Sequence, residues 1–421
     1  EVNVEKYCRT KVVGDAVIQV DHLREDGSVV FTEHRVRGVP RRYVHYSSAG
    51  VPTGTLASED DLLAGWIDTL PRDPVAWMIV DSRVSARLLL DYKRPDVVVM
   101  HVLHHSHLTV GMSKKPRKVT GDSKPVLERM DDLDAIVFLT DSQLRSVEEL
   151  YGDGSANRFA IPNVGLLPVD ADTSALTKRR DRRRGIMLAR YDEGKRVDYA
   201  IRAIASAADS LDPRTRPTLD VYGGGPRIGL LQDEIEAVSV WERTVLRRFL
   251  SRYLGSRLGR RLARSIENRT SAPRTRLHGH TPDAREMFWD SSFSLLTSKD
   301  EACPLVVIES MARGAIPICF DIDFGPRDMI TDGVNGVLIP FRNRRQAEKA
   351  LATAIRRTVS MSHRDLTAMR LAGHRRAQDF DGTSVTQRWI EVMATIQERR
   401  FSAPLNTSTT LISEATRAVA T

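Results

Sequence analysis

Five short apolar runs in the second half of the chain alternate with segments of helical spacing: GIMLAR (185–190), TLDVYG (218–223), FSLLT (293–297), AIPICF (315–320) and GVLIP (336–340). Runs of this length suit parallel strands with helices as crossovers. The rhythm begins earlier, with AWMIVD (76–81), DVVVMHVLH (96–104) and AIVFLT (135–140) separated by SRVSARLLLDY and DSQLRSVEELYG. The expected class is therefore α/β with layered helices. At 421 residues the chain exceeds the ~250–300 at which single cores stop growing, which predicts two such domains. Residues 15–50 read differently: VIQVDHL and SVVFTEHRV flank an Asp26-Gly27 turn, a hairpin signal.

These patterns predict a β-rich segment over 1–58, the rest of a first domain over 59–175, and a second domain over 176–385. A helix over 386–400 and a Ser/Thr-rich disordered tail over 401–421 complete the chain. IPNVGLLPVDADTSALTKRRDRRR (161–184) reads as an interdomain linker, and helices are expected around 343–357 and 363–380. The chain opens EVNVEKY, without an initiator Met or a signal-peptide pattern, which predicts a preceding segment. No run of 18 uncharged apolar residues exists, so no membrane-spanning helix is expected. Cys8, Cys303 and Cys319 form no CxxC pair, which argues against a disulfide framework or zinc site and favours a reducing cytosol.

Charge is concentrated. Residues 241–276 hold eleven Arg against two Glu, so the net +8 of the chain lies in this one insertion. Aromatic residues do not interleave with the basic run, and a nucleic-acid module is not expected. In 241–269, Leu246, Phe249, Leu250, Tyr253 and Leu254 share one helical face and Arg248 and Arg252 the other. A basic amphipathic helix suits an anionic membrane surface or a polyanionic acceptor, against the plainer reading of a surface helix packed on its own domain.

The exits of the second-domain strands carry the chemistry, since ligands of open α/β sheets bind at carboxyl ends of strands. GIMLAR leads to Arg190 and Lys195, two cations able to neutralise a diphosphate. TLDVY leads to Gly223-Gly224-Gly225-Pro226, which is not a GxGxxG fingerprint. TRLHG leads to His280 and Thr281. FSLLT leads to KDEACPLVVIESM, where Pro304 suits the first position of a helix whose N-terminus would face a phosphate. Glu309, about a turn and a half in, suits the two hydroxyls of a ribose, and Glu301 a sugar hydroxyl or a developing positive charge. Each feature alone has a plain structural explanation; their joint order points to a nucleoside-diphosphate sugar.

Arg190…Lys195 as R-x₄-K, Glu301…Glu309 as E-x₇-E, and GAIPIC resemble the retaining GT-B glycosyltransferases of family four, over roughly 60–400. DIDFGPRDMITDGVNGVLIP (321–340), LHHSHL (103–108) and FLTDSQ (138–143) resemble the branch that glycosylates wall teichoic acid, and the related adhesin serine glycosyltransferases. The resemblance implies two Rossmann-like domains facing a cleft, with a β-rich insertion in the first. It implies retaining, metal-independent transfer of a hexose or N-acetylhexosamine from a UDP-sugar, with no cofactor. Arg190 and Lys195 would stabilise the leaving diphosphate, Glu301 the transferred sugar and Glu309 the ribose. Gly224, Cys303, Pro304, Leu305 and Val306 would meet the donor, His278, His280 and Thr281 would frame the base, and His104 or His107 would lie on the acceptor side.

Ala302 stands where relatives usually carry Gly, and Pro304 offers no N–H. The family's opening strand and Gly-rich loop are absent from this sequence, and full activity is expected to need them. The acceptor is a cell-wall polymer such as teichoic acid, with protein serine or threonine and exopolysaccharide as alternatives; a non-catalytic binding member and an epimerase are rival classes. A cytoplasmic protein held peripherally at the inner membrane face is expected, and homo-oligomer formation is left open.

Overall fold

The computed structural model describes residues 2–5, 7–68, 70, 74–109, 118–153, 156–168, 173–209, 211–212, 214–239, 274–341 and 343–401. The basic segment 241–269 and the tail beyond 401 lie outside the described residues. The chain divides into two compact units, Glu1–Val102 with Gly121–Ile136, and Leu103–Thr120 with Val137–Thr421. These are contact units, and their bounds differ from the divisions at 58 and 175 read from the sequence.

The first unit opens on a six-stranded antiparallel meander: β1 (Val2–Glu5), β2 (Cys8–Val13), β3 (Ala16–Leu23), β4 (Val29–His34), β5 (Arg42–Tyr46) and β6 (Pro52–Leu56), paired in chain order. The β3–β4 hairpin turns through Asp26-Gly27 as expected, with Gly27 at φ 82°. β1, β2, β5 and β6 were not individually legible because their apolar residues are few and scattered. Two carboxylates are buried in this sheet. Asp21 accepts from Gln19 at 2.8 Å, Thr32 at 2.8 Å and Arg9 at 3.0 Å; Glu33 accepts from Arg35 at 2.7 Å and forms an ion pair with Arg41 at 3.2 Å. Beyond the meander, β7 (Ala76–Val80) pairs in parallel with β8 (Val97–Leu103), whose seven residues are all buried. The chain passes from the first unit to the second within β9 (Ala135–Phe138), also buried throughout.

In the second unit, β10 (Arg158–Ala160) is followed by β11 (Arg184–Leu188), β12 (Thr218–Tyr222), β13 (Thr275–Gly279), β14 (Phe293–Leu296), β15 (Ile316–Asp321) and β16 (Val337–Pro340). The last six form one parallel sheet in the order β13-β12-β11-β14-β15-β16. Its core is Met187, Leu219, Phe293, Leu295, Ile318 and Phe320 packed on Ile201 and Ile204 of the helix Val197–Asp209 and Leu351 and Ile355 of the helix Arg344–Ser360. Helix starts follow capping chemistry: Asn343 accepts from Gln346 N–H at 3.0 Å and Ser362 from Asp365 N–H at 3.1 Å, the latter opening His363–Gln378. The final helix runs unbroken over Gly382–Phe401, so the division at 385 falls inside it.

Described residues of the expected linker make close contacts within the second unit. Gly165 donates its N–H to Phe380 O at 2.8 Å, and a Cβ there would lie 2.5 Å from Ile308 of the helix that carries Glu309. Arg180 donates to the carbonyls of Phe288 and Ser291, both at 3.1 Å, and of Arg313 at 2.8 Å. FLTDSQ also belongs to this unit. It opens the helix Asp141–Tyr151, and Asp328 accepts the Ser142 N–H at 3.0 Å and its hydroxyl at 2.5 Å.

Burial pushes the Asp21 carboxyl up, but the bonds from Gln19, Thr32 and Arg9 outweigh it and hold the group below its ordinary value. Burial likewise acts on Glu33, and Arg35 and Arg41 overcome it. A depressed carboxylate contributes stability that is complete above the unfolded pKa, about 4, and lost as pH falls through the folded value. Amides of β3 and β4 should therefore exchange faster as pH drops below about 4. Asp21→Asn should destabilise the meander at neutral pH by about 1.5–3 kcal/mol and flatten that dependence. Hydrogen–deuterium exchange after correction for intrinsic rates measures both.

Candidate active site

The strand order reverses between β11 and β14, so the loops that leave these adjacent strands diverge and open a crevice at their carboxyl ends. Those loops carry Arg190 and Lys195 on one side and Glu301 on the other. They are tied together. The buried Thr297 hydroxyl lies 2.8 Å from Lys195 O and 3.0 Å from Arg196 O, and Lys299 N–H donates to Gly194 O at 2.7 Å. Asp192 accepts the Lys195 N–H at 3.1 Å and lies 3.3 Å from the Arg190 guanidinium. Lys299 pairs with Glu193. Lys195 Nζ donates to Glu301 at 2.6 Å.

Arg196 adopts a left-handed φ of 48°. A non-glycine residue there costs of order 1 kcal/mol. The Thr297 bond offsets this, as does the buried guanidinium lying 4.2 Å from the centre of the Phe341 ring.

Beside this turn a cavity of about 480 Å³ is bounded by Arg190, Gly224, His280, Thr281 and Glu309, five of the residues expected there, and by Tyr222 and Arg285. The GGGP turn has a definite reason for glycine. Gly223 has φ 147°, and a Cβ would lie 1.9 Å from Ala189 O, so the turn presses its backbone onto the exit of β11. Tyr191 N–H reaches Gly224 O and Gly223 N–H reaches Gly279 O, each at 2.8 Å.

His278 is placed differently from His280. Its Nε2 lies 2.7 Å from Asp220 Oδ1, and its ring stacks on Tyr222 with centroids 4.6 Å apart. It backs the Tyr222 ring, and Tyr222 borders the cavity.

Pro304 is one residue earlier than expected. It caps the helix Leu305–Ala312 with φ −73° and ψ 101°, because an extended ψ is needed where the chain enters the first turn. Ala302 and Cys303 are buried before it, and burial pushes the Cys303 thiol up to about 12. The half-buried Val306 side chain packs against the Ile186, Phe288 and Ala315 cluster.

His107 is fully buried in the second unit, stacked on Phe324 at 5.2 Å, with Nε2 3.3 Å from Ser146 Oγ. Burial lowers its pKa to about 4, so the ring is neutral at physiological pH. His104 is partly exposed.

Sequence reasoning missed Asp192, Thr297, Tyr222 and Arg285. Asp192 had a visible signal, a carboxylate between two cations in RYDEGKR; Thr297 had none, since its role depends on which loops are neighbours. Among the described residues no group of three or more His, Cys, Asp or Glu could hold a metal ion, and no helix is long and apolar enough to cross a membrane.

Residues 255–366 match the family described as glycosyl transferases group 1. An exopolysaccharide phosphotransferase of Streptomyces coelicolor is 27% identical over 301 residues, 70% of this chain and 27% of the relative. The poly(glycerol-phosphate) alpha-glucosyltransferase of Bacillus subtilis is 22% identical over 301 residues, 71% of this chain and 39% of the relative. The chain thus spans well under half the length of these two relatives. Among solved structures, the pneumococcal O-GlcNAc transferase GtfA in complex with UDP and GlcNAc superposes with a TM-score of 0.68 at 19% identity, covering 93% of this chain and 70% of that one. The fold is GT-B, as expected. The chain carries a glycosyltransferase group 1 domain.

Burial pushes the Glu309 carboxyl above its ordinary value; Arg285 and Arg313 pull it down and Glu286 pushes it further up. A raised carboxyl costs the folded state nothing below the unfolded pKa and its full amount once pH exceeds the folded value. Glu309→Gln should therefore raise the melting temperature at pH 7 by about 1–3 °C and leave it unchanged near pH 4. Thermal melts of the ligand-free protein at the two pH values measure this.

Proposed function

We propose that the chain transfers a hexose or N-acetylhexosamine from a UDP-sugar to a cell-wall polymer such as a teichoic acid, with retention and without a metal. The observation that carries this reading is the cavity between Arg190 and Glu309, which adjoins the cationic turn at the strand-order reversal. The names of the Bacillus and pneumococcal proteins support the donor and acceptor classes.

In this reading Glu309 accepts hydrogen bonds from both ribose hydroxyls, while Tyr222, His280 and Thr281 frame the base. Arg190 and Lys195 face the diphosphate, and Glu301 faces the sugar. The bond from the anomeric carbon to the β-phosphate oxygen breaks as the acceptor oxygen approaches on the same face. The departing phosphate receives the acceptor's proton. Stabilisation of charge growing on the leaving group is the main contribution, supplied by Arg190 and Lys195.

A mass-resolved screen of UDP-sugars against full-length protein with poly(glycerol-phosphate), a Ser/Thr-rich peptide and exopolysaccharide tests the reading. Transfer to the polymer is expected; transfer to the peptide alone would move the acceptor to protein, and no transfer to any would favour a binding role. Glu309→Ala should weaken UDP binding about tenfold or more by losing two charge-assisted bonds, whereas Glu301→Gln should chiefly lower kcat.

The reading includes peripheral attachment at the inner membrane face through 241–269, where each Arg near an anionic surface contributes about 1 kcal/mol. Wild type should co-sediment with anionic liposomes at low salt but not high salt. A variant with Arg247, Arg248, Arg252, Arg260, Arg261 and Arg264 replaced by Gln should stay in solution. Equal behaviour of the two proteins would remove the membrane from this proposal.

A further inference from the structure

We propose that Glu301 is the internal counter-anion of the diphosphate site: it holds Lys195 when the site is empty, and after transfer it recaptures Lys195 and so expels the nucleoside diphosphate. This rests on the reading above that the 190–196 turn receives a diphosphate. It adds a role in product release to a residue so far considered only for its contact with the sugar.

The geometry is specific. Lys195 Nζ and Glu301 Oε1 are 2.6 Å apart with side chains only 24% and 15% exposed, so bulk salt screens the pair weakly. Two further ion pairs close the same turn, Arg190 with Asp192 and Lys299 with Glu193. The Lys195 backbone is fixed at both ends, its N–H on Asp192 and its carbonyl on Thr297. The turn can therefore stay in place while the ammonium exchanges one anion for another.

A diphosphate that takes Lys195 must do so beside the carboxylate that already holds it. Two anions then share one cation within a few ångströms, and their repulsion limits affinity. A bound sugar relieves this, because its hydroxyls stand between the two anions and donate to Glu301. Once the sugar has gone to the acceptor, nothing separates carboxylate from phosphate. Release of the product is the outcome, and the pair closes again. An ion pair that merely braced the two loops would change stability when broken and leave phosphate affinity unchanged.

The test is titration calorimetry of UDP, and separately of inorganic pyrophosphate, with full-length wild type, Glu301→Gln, Lys195→Ala and the double variant, each verified as folded by thermal melt. Glu301→Gln should bind both probes about fivefold tighter or more, and UDP should inhibit it at correspondingly lower concentration. Lys195→Ala should bind them about tenfold more weakly, and on that background Glu301→Gln should gain less than about twofold. Glu301→Ala, which removes the charge without adding an amide donor, should act in the same direction.

Unchanged or weaker binding by both Glu301 variants overturns the proposal, as does an equal gain with and without Lys195. If wild type binds pyrophosphate but not UDP, the nucleotide reading fails separately. The counter-anion role then stands with a tighter Glu301→Gln complex of pyrophosphate and falls without one. Binding of neither probe by any of the four proteins overturns both.

Discussion

The reversal of strand order between β11 and β14 is the constraint on which the site depends. Parallel strands need crossover helices, and at a reversal two neighbouring exits send their crossovers to opposite faces. Backbone is left uncovered between them. In this chain the gap is bridged by a buried hydroxyl, an amide and an ion pair, from Thr297, Lys299 and Lys195. These bonds join residues about a hundred positions apart in sequence and make one rigid platform out of two loops. The left-handed backbone at Arg196 and the clash that forbids a side chain at Gly223 are local costs of bringing those loops together.

Charge in the platform is balanced in pairs rather than accumulated. Each of Arg190, Lys195 and Lys299 has a carboxylate beside it in the ligand-free chain. Such a site avoids unscreened like charges at its centre. Glu309 differs, because burial raises its pKa and Arg285 and Arg313 only moderate the effect. A carboxylate that the fold does not fully compensate is one that gains most from ligand hydroxyls.

Strands of the parallel sheet in the second unit were legible where burial on both faces leaves a mainly apolar run. Ile316–Asp321 and Phe293–Leu296 lie almost where AIPICF and FSLLT place them. The meander was only half legible: the hairpin of β3 and β4 was marked by its Asp26-Gly27 turn, whereas β1, β2, β5 and β6 are short and mix polar with apolar residues. The positions of Arg190, His280, Thr281 and Glu309 around one cavity followed from the rule for strand exits. The separate fates of His278 and His280 did not. A two-residue step along β13 and its exit puts one ring against Tyr222 and the other at the cavity, and that depends on the neighbouring strand. Thr297 was invisible for the same reason, since a threonine after an apolar strand is ordinary until its two carbonyl partners are known.

The clasp between Ser142 and Asp328 bears on how the chain can be divided. FLTDSQ comes long before the first strand of the six-stranded parallel sheet, yet Asp328 holds its helix start, Gln143 reaches His105 O at 2.8 Å, and Phe324 covers the His107 ring. A truncation begun at the linker would keep all six strands of that sheet and still strip Asp328 and Phe324 of these partners. The unit that can be cut out and studied alone is therefore discontinuous in sequence. Its two parts are expected to change together through descent, because a substitution on one side of the clasp leaves an unpaired group on the other.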